Sequence, residues 1–210
     1  MLRSWVNDVR PPRIRLLTKR VAAGRPTIVA RVTDQGAGVD PFSLVLGYRG
    51  VLVGAALYDP TNGVAAFPLP QQAARIPKGR TRAVITAADY QESKNVNSVG
   101  SDILPNTAFS TVGITAVPGP ALTWVTPAAN RCVAKTAALV VVASSTKRVR
   151  SVRFLVDGKQ IEIVRQGAAD VFSGSWATGL VLAGKHDLRA VATDAGGRTF
   201  AATRHVKVCR

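Results

Sequence analysis

Short runs of alternating hydrophobic and polar residues make up most of this chain, and turn residues separate them. In Thr27–Thr33, the side chains of Ile28, Ala30 and Val32 fall on one face, as a half-buried antiparallel strand requires. No segment has convincing helical periodicity. Many short strands at such spacing predict an all-β fold of the sandwich type.

The first half of the chain contains seven strand-like runs. Phe67 is the aromatic residue expected in its core, and Arg49-Gly50 lies between two of the runs. The predicted strands are Arg13–Leu17, Thr27–Thr33, Ser43–Tyr48, Val51–Tyr58, Val64–Pro68, Thr81–Asp89 and Asn95–Gly100.

The second half repeats this plan. Asp157-Gly158 separates two strand-like runs, which is a strong signal for a tight hairpin turn. Trp176 is the aromatic residue expected in this second core. The predicted strands are Thr123–Thr126, Ala138–Ser144, Val149–Val156, Lys159–Arg165, Val171–Ala177, His186–Thr193 and Arg198–Val208.

One segment occurs twice. Gly79–Asp89 recurs as Gly184–Asp194, and each copy is an alternating run that begins with glycine and ends with aspartate. Such self-similarity indicates two copies of one domain, so we expect domains at 11–115 and 116–210. A stiff, proline-containing linker between Asp102 and Pro120, with a short strand at Phe109–Ala116, should join them end to end.

The charge of the chain is strongly positive but evenly spread. There are 28 basic and 12 acidic residues, with a net charge of +16 and no run of five like charges. A GC-rich coding sequence also explains the abundance of arginine, alanine, valine and glycine. We therefore expect no nucleic-acid partner, although such a surface should adhere to anionic polymers at low salt.

Neither a membrane span nor a leader is evident. The longest apolar run, Ala137–Ala143, is far shorter than the roughly 20 residues that cross a bilayer. Met1–Asp8 also lacks the apolar stretch of a signal peptide. We expect no membrane insertion, and export would mean that the chain is a fragment of a longer protein.

The two cysteines flank the second half. Cys132 precedes the strand Ala138–Ser144, and Cys209 follows the last strand. The first and last strands of a sandwich often run side by side, so we predict a disulfide and with it an oxidising compartment. Two buried free thiols, or a zinc site that His205 completes, are the alternatives.

Several segments of both halves match one known pattern of residues. They are Val32–Pro41, Tyr58–Gly63, Phe67–Leu69, Val152–Gly158, Trp176, Gly184–His186 and Ala192–Arg198. These segments resemble the bacterial immunoglobulin-like repeats of exported proteins. The resemblance implies two tandem antiparallel immunoglobulin-like β-sandwiches, in proteins where such repeats serve as spacers, adhesive modules or appendages to enzymes. The first copy departs from the pattern, since its ending from Asp89 to Asn95 is longer.

Catalytic chemistry finds little support. His186 and His205 are the two histidines, and no Gly-x-Ser-x-Gly elbow provides the nucleophile of a triad. Gly36-Ala37-Gly38 lacks the Lys-Ser/Thr of a phosphate loop and is interpreted as a turn that needs a positive φ. We expect a protein that is not an enzyme and has no cofactor.

Loop carboxylates raise a calcium hypothesis, because calcium prefers oxygen ligands. Asp34 can instead hydrogen-bond the backbone of its own turn, and a shared structural turn explains both Asp89 and Asp194. We therefore expect no metal site. The carboxylates concerned are Asp34, Asp40, Asp89, Glu92 and Asp102.

A basic cluster on one predicted strand is the remaining candidate site. It comprises Lys147, Arg148, Arg150 and Arg153. Their spacing places Arg148 and Arg150 on one face and Arg153 on the other. A solvated edge that discourages aggregation is one interpretation, and contact with an anionic cell-wall polysaccharide is another.

The sequence therefore predicts a non-catalytic spacer, presentation or docking module of an exported or cell-surface bacterial protein, whose partners are neighbouring domains or another protein. The alternative is a module that binds carbohydrate or an anionic wall polymer for a secreted enzyme. A third interpretation, an intracellular basic scaffold, requires free thiols. A binder should expose aromatic side chains, and the candidates are Trp5, Trp124, Trp176, Tyr48, Tyr58 and Tyr90.

Overall fold

A computed structural model describes residues 8–90 and 106–209 of the chain. These residues form β-strands joined by turns, with short 3-10 segments at Pro41–Ser43 and Thr178–Leu180. The predicted all-β fold is confirmed. The strand expected at Asn95–Gly100 lies outside the described residues.

The first half folds into two sheets. Its strands are β1 (Arg13–Leu16), β2 (Arg20–Ala22), β3 (Thr27–Thr33), β4 (Val45–Tyr48), β5 (Val51–Gly54), β6 (Leu57–Asp59), β7 (Val64–Pro68), β8 (Gly79–Ala88) and β9 (Thr107–Val117). One sheet has the order β1-β3-β7-β6, and the other has the order β2-β9-β8-β4-β5. Apolar side chains of both sheets meet in one core.

The second half also folds into two sheets. Its strands are β10 (Ala121–Thr126), β11 (Cys132–Val133), β12 (Thr136–Ser144), β13 (Val149–Val156), β14 (Lys159–Val164), β15 (Val171–Ala177), β16 (Gly184–Asp194) and β17 (Thr199–Val208). The sheet orders are β10-β12-β15 and β11-β17-β16-β13-β14. A second core lies between these sheets.

The two halves share one strand order. Apart from β6, every strand of the first half has a counterpart with the same neighbours in the second. In both halves a short strand runs parallel to the last strand, β2 beside β9 and β11 beside β17. The repeated segment forms equivalent central strands, β8 and β16.

Sequence patterning predicted the cores and the hairpin turns. Phe67 and Trp176 are buried in the first and second cores. Arg49-Gly50 has φ angles of 46° and 80°, and Asp157-Gly158 has 48° and 81°. Two positive φ values in a two-residue loop are those of the type I′ hairpin turn, so the predicted turns are confirmed.

The single strand expected at Val51–Tyr58 is wrong, because the chain changes sheets within it. The amide of Ala55 donates to the carbonyl of Leu44, whereas the amide of Ala56 donates to Ala66 in the other sheet. Two consecutive amides therefore bond to opposite sheets. Alternation along the sequence carries no sign of this switch.

The placing of Phe109–Ala116 within the linker is also wrong. These residues belong to β9, which pairs with β8 over ten residue pairs. The linker is the three-residue segment Pro118–Pro120 between β9 and β10, which is short and contains prolines as expected. Because β9 continues two residues past 115, we propose that the domain boundary lies in this segment.

The two halves pack through the outer faces of their smaller sheets, so the expected end-to-end arrangement is wrong. Val29 in β3 and Val142 in β12 point away from their own cores and are nevertheless buried. We call this apolar cluster the inter-sandwich layer. Its buried members are Val29, Val64, Ala66, Val125, Val140, Val142 and Val171.

Two hydrogen bonds flank the inter-sandwich layer. The amide of Ala22 donates to the hydroxyl of Ser144 at 2.9 Å. The hydroxyl of Thr27 donates to a carboxylate oxygen of Asp170 at 3.0 Å. Directional contacts of this kind fix the register of two apolar faces that could otherwise slide.

Candidate functional site

The predicted basic cluster lies around the start of β13. Lys147, Arg148, Arg150 and Arg153 are all exposed. Burial acts to raise the pKa of Asp194, but hydrogen bonds from the amides of Gly196 and Arg198 and from the Ser145 hydroxyl hold it below its usual value, and the Lys147 ammonium adds a smaller effect in the same direction. The cluster therefore begins beside the turn between β16 and β17.

The orientation expected for Arg153 is wrong because the strand contains a bulge. Val149 pairs with Asp194 and Ser151 pairs with Thr193, which leaves Arg150 as the extra residue. A bulge interrupts strict alternation. Arg153 consequently lies on the exposed face of the sheet, the same side to which the bulge directs Arg150.

The predicted disulfide between Cys132 and Cys209 is confirmed. The Cα atoms are 5.5 Å apart, and β11 runs parallel to β17 beside it. Both cysteines of the chain are thereby used, so the alternatives with free thiols or with zinc bound by His205 are wrong. The bridge ties a two-residue edge strand to the last strand of the second sandwich.

Both histidines pair with aspartates at one end of the second sandwich. His186 places Nδ1 2.6 Å from Asp157 and Nε2 2.8 Å from the carbonyl of Leu182. Both neighbours are acceptors, so two hydrogen bonds require a protonated ring, and the bond to Asp157 raises the pKa of His186. His205 and Asp187 form an exposed pair.

The loop carboxylates of the first sandwich bind backbone amides. Asp34 accepts from the amides of Gly36 and Gly38, both at 2.9 Å, which confirms the turn interpretation of Asp34. Gly38 has a φ of 83°, as expected for this turn. The carboxylate of Asp8 lies against Gly36 and would have to move to admit a Cβ there.

Asp89 and Asp194 occupy equivalent positions. The amide of Asp89 donates to the carbonyl of Asn106, and its carboxylate accepts from the Asn106 backbone and side chain. Asp194 pairs with Arg198 through its amide and its carboxylate in the same way. A shared structural role therefore accounts for both aspartates. Glu92 and Asp102 lie outside the described residues.

Aromatic exposure separates the binding candidates. Trp124, Trp176 and Tyr48 are buried, and Trp5 lies outside the described residues. Tyr90 is 52% exposed, and Tyr58 is partly buried. Tyr58 and Tyr90 line the same pocket of about 570 Å³ at one end of the first sandwich.

A third aromatic side chain, Phe42, lines the same pocket and is 94% exposed. We call the site formed by Phe42, Tyr58 and Tyr90 the aromatic pocket. Burial raises the pKa of the Tyr58 hydroxyl, and Tyr90, Asp34 and Asp59 raise it further. The aromatic pocket therefore has aromatic side chains in its walls and carboxylates nearby.

Sequence reasoning missed Phe42 as a candidate. A large apolar residue in the turn-forming segment Asp40-Pro41-Phe42-Ser43 is a signal, because a side chain so placed has no strand to orient it toward a core. The carboxylate of Asp40 accepts from the amide of Phe42 and holds it in the 3-10 turn. No local sequence pattern predicts that three separate segments of the chain meet at this pocket.

Comparison with protein families identifies part of the chain. Residues 120–197 match the model of the family described as "Bacterial Ig domain". These residues span β10 to β16 and hold most of the second core. They are a bacterial Ig domain.

One solved structure shares the fold of both sandwiches, and a second is similar over a shorter stretch. Dimeric latent PorU from Porphyromonas gingivalis aligns over 96% of this chain and 20% of its own, with 15% identity and a TM-score of 0.50. The fibronectin(III)-like modules of CbhA from Clostridium thermocellum align over 42% of this chain and 94% of theirs, with 20% identity and a TM-score of 0.38. No curated protein matches the chain.

The bacterial Ig domain also bears on location. Domains of this family are typical of surface and extracellular proteins. Among residues 8–90 and 106–209, no helix is long and apolar enough to span a membrane. The sandwich fold hosts many unrelated functions, so the fold by itself assigns none.

Proposed function

We propose that this chain is a non-catalytic module of an exported or surface bacterial protein, and that two immunoglobulin-like sandwiches form a rigid unit that positions neighbouring domains. The inter-sandwich layer is the observation that carries the proposal. It buries valine and alanine side chains of both halves on the faces that point away from the cores. On an isolated sandwich these faces would be exposed to water, where a contiguous apolar patch is unfavourable.

The linker supports the same conclusion. Only Pro118–Pro120 separates β9 from β10, so the second sandwich cannot move far from the first. Proline restricts φ, and the flanking bonds of Ala22 and Thr27 hold the sheets in register. A unit of this kind transmits position and orientation along a chain better than two sandwiches on a flexible tether.

An exported location agrees with the disulfide between Cys132 and Cys209. Structural disulfides form and persist in oxidising compartments and are rare in the cytosol. The intracellular scaffold interpretation required free thiols, and both cysteines are paired.

Small-angle X-ray scattering tests the rigid unit. A compact particle of 210 residues has a radius of gyration near 17 Å, and we expect a value close to this that does not change between 0.15 and 1 M NaCl. A clearly larger radius, with the profile of two separated bodies, would contradict the proposal.

Binding of an anionic wall polymer is the second candidate function. The bulge at Arg150 favours it, since Arg150 and Arg153 are both presented to solvent on one strand, about 10 Å apart along its axis. Lys147 and Arg148 extend the positive charge toward the turn. An extended polyanion contacts such a row of cations better than a compact ligand does.

Charge reversal tests this second candidate. We expect the Arg150→Glu, Arg153→Glu double variant to lose affinity for sodium alginate roughly tenfold or more at 50 mM NaCl. The matched control is Arg13→Glu, Arg15→Glu, which makes the same change in net charge at exposed positions of β1. Equal losses in both variants would mean non-specific attraction to the net charge of the chain.

A further inference from the structure

We propose that the aromatic pocket of the first sandwich binds a neutral saccharide chain. This gives a ligand class to the carbohydrate-binding alternative and rests on it. It does not depend on the rigid-spacer role or on the basic cluster of the second sandwich. The pocket is lined by residues from the loop after β3, from β6 and from the end of β8.

Exposed aromatic rings are the first observation. Phe42 is 94% exposed and Tyr90 is 52% exposed, whereas Tyr48, Phe67 and Phe154 are buried. Large exposed aromatic surface is costly in water unless a ligand covers it. The apolar faces of sugar rings, which carry C–H groups, suit flat aromatic side chains.

Polar groups at the pocket provide the second observation. Asp34 lines it with Tyr58 and Tyr90. The Tyr58 hydroxyl donates to the carbonyl of Val32 at 3.5 Å, and its oxygen can still accept a hydrogen bond from a ligand hydroxyl. Hydroxyls and a carboxylate that converge on an apolar pocket match the alternating apolar and hydroxyl surfaces of a sugar.

Electrostatics select a neutral ligand over an anionic one. Of the described residues that line the pocket, none is lysine or arginine. Asp34 and Asp59 both act on the Tyr58 hydroxyl. An anionic polymer would meet repulsion here, so the positive net charge of the chain does not explain binding at this site.

The loop that carries Phe42 is held in place before any ligand arrives. The hydroxyl of Ser43 accepts from the amide of Ala88 at 2.7 Å, which ties the loop to the end of β8. The amide of Tyr90 donates to the carbonyl of Gly38 at 3.0 Å. Preorganised loops lower the entropic cost of binding, and the pocket volume of about 570 Å³ falls within the range of ligand sites.

Isothermal titration calorimetry of the full chain tests the proposal. The neutral probes are soluble galactomannan, mixed-linkage β-glucan and dextran, and sodium alginate is the anionic comparison, all at 0.5 M NaCl to screen the net charge. We expect at least one neutral polysaccharide to bind, and Phe42→Ala and Tyr90→Ala each to weaken that binding roughly tenfold or more.

The matched control is Phe109→Ala. Phe109 is 73% exposed on β9 and is not among the residues that line the pocket, so its removal should leave the affinity unchanged. All three side chains are largely exposed, and thermal melting verifies that each variant is folded. A change in affinity with an unchanged melting temperature therefore reports the pocket itself.

Three results would overturn the inference: no binding of any neutral probe, binding of alginate alone, or full affinity in the Phe42→Ala, Tyr90→Ala double variant. None of these results would contradict the rigid-unit proposal, which small-angle scattering tests separately. Conversely, a flexible chain that still binds a neutral probe through the pocket would refute the spacer proposal and keep this one.

Discussion

At the scale of single residues, Asp170 is a carboxyl group placed where ionisation is disfavoured. Its backbone has a φ of 61°, and its carboxylate accepts from Thr27 at the edge of the inter-sandwich layer. Burial raises the pKa of Asp170, and the hydrogen bond from Thr27 opposes this in part. The folded state therefore holds the Asp170 proton more tightly than the unfolded state does.

The sign of the resulting pH dependence follows from linkage. Where the folded state binds more protons, the free energy of unfolding falls as the pH rises. The contribution of Asp170 is thus most favourable below about pH 4, the usual aspartate pKa. It declines as the pH rises through the raised pKa of the folded state.

We expect Asp170→Asn to stabilise the protein at pH 7 and to lose this advantage near pH 4. Asparagine keeps an acceptor for Thr27, tolerates a positive φ and carries no charge. Urea unfolding of both proteins at the two pH values measures the difference. Thr27→Val should have the opposite effect at pH 7, since it removes the bond that favours the charged carboxylate. An asparagine variant less stable than the wild type at pH 7 would contradict this account.

At the scale of elements, two contacts protect the edge strands of the second sandwich. The disulfide secures β11, whose two residues pair with β17. Glu162 in β14 accepts from the amide of Ser175 in β15 at 2.8 Å, on the side where the first sandwich has β6. Both contacts cover strand edges that would otherwise present open hydrogen-bonding groups.

Removal of the disulfide should lower the free energy of unfolding by roughly 2–4 kcal/mol. The Cys132→Ala, Cys209→Ala variant and the reduced wild type should agree, and hydrogen exchange should rise first in β11 and the end of β17. Reductant should leave the double variant unchanged, which serves as the control. Equal stability of oxidised and reduced wild type would show that the pairing in β11 holds without the bridge.

At the scale of the whole molecule, the two sandwiches should unfold as one cooperative unit. Strand β3 is buried on both faces, with Ile28 toward the first core and Val29 in the inter-sandwich layer. Packing of one half therefore stabilises the other, and the energetic unit is larger than either sandwich.

Ala66→Arg should separate the sandwiches. Ala66 is fully buried in the inter-sandwich layer, and a buried unpaired charge is strongly unfavourable. We expect a larger radius of gyration, a melting temperature several degrees lower and two transitions in place of one. The control is Val84→Arg, which adds the same charge on the exposed outer face of β8. A single transition at the original temperature in both variants would contradict the coupling.

Much of the fold was predictable because its signals are local. The alternating pattern predicted both ends of the strands Thr27–Thr33, Val64–Pro68 and Val149–Val156 correctly. A strand with one apolar face can be recognised from neighbouring residues alone. The turn at Asp157-Gly158 was equally clear, because few residue pairs accept two positive φ values. The disulfide followed from the places of two cysteines at the ends of one sandwich.

Sequence by itself therefore determined most of the longer strands, the two tight turns and the pairing of the cysteines. Tertiary structure alone decided the second burial of Val29, the exposed face of Arg153 and the meeting of Phe42 with Tyr90. The reason is that an apolar residue on the outward face of a strand looks the same whether solvent or another sheet covers it. A bulge, and a pocket built from three loops and strands, likewise depend on residues far apart in the chain, which no local pattern records.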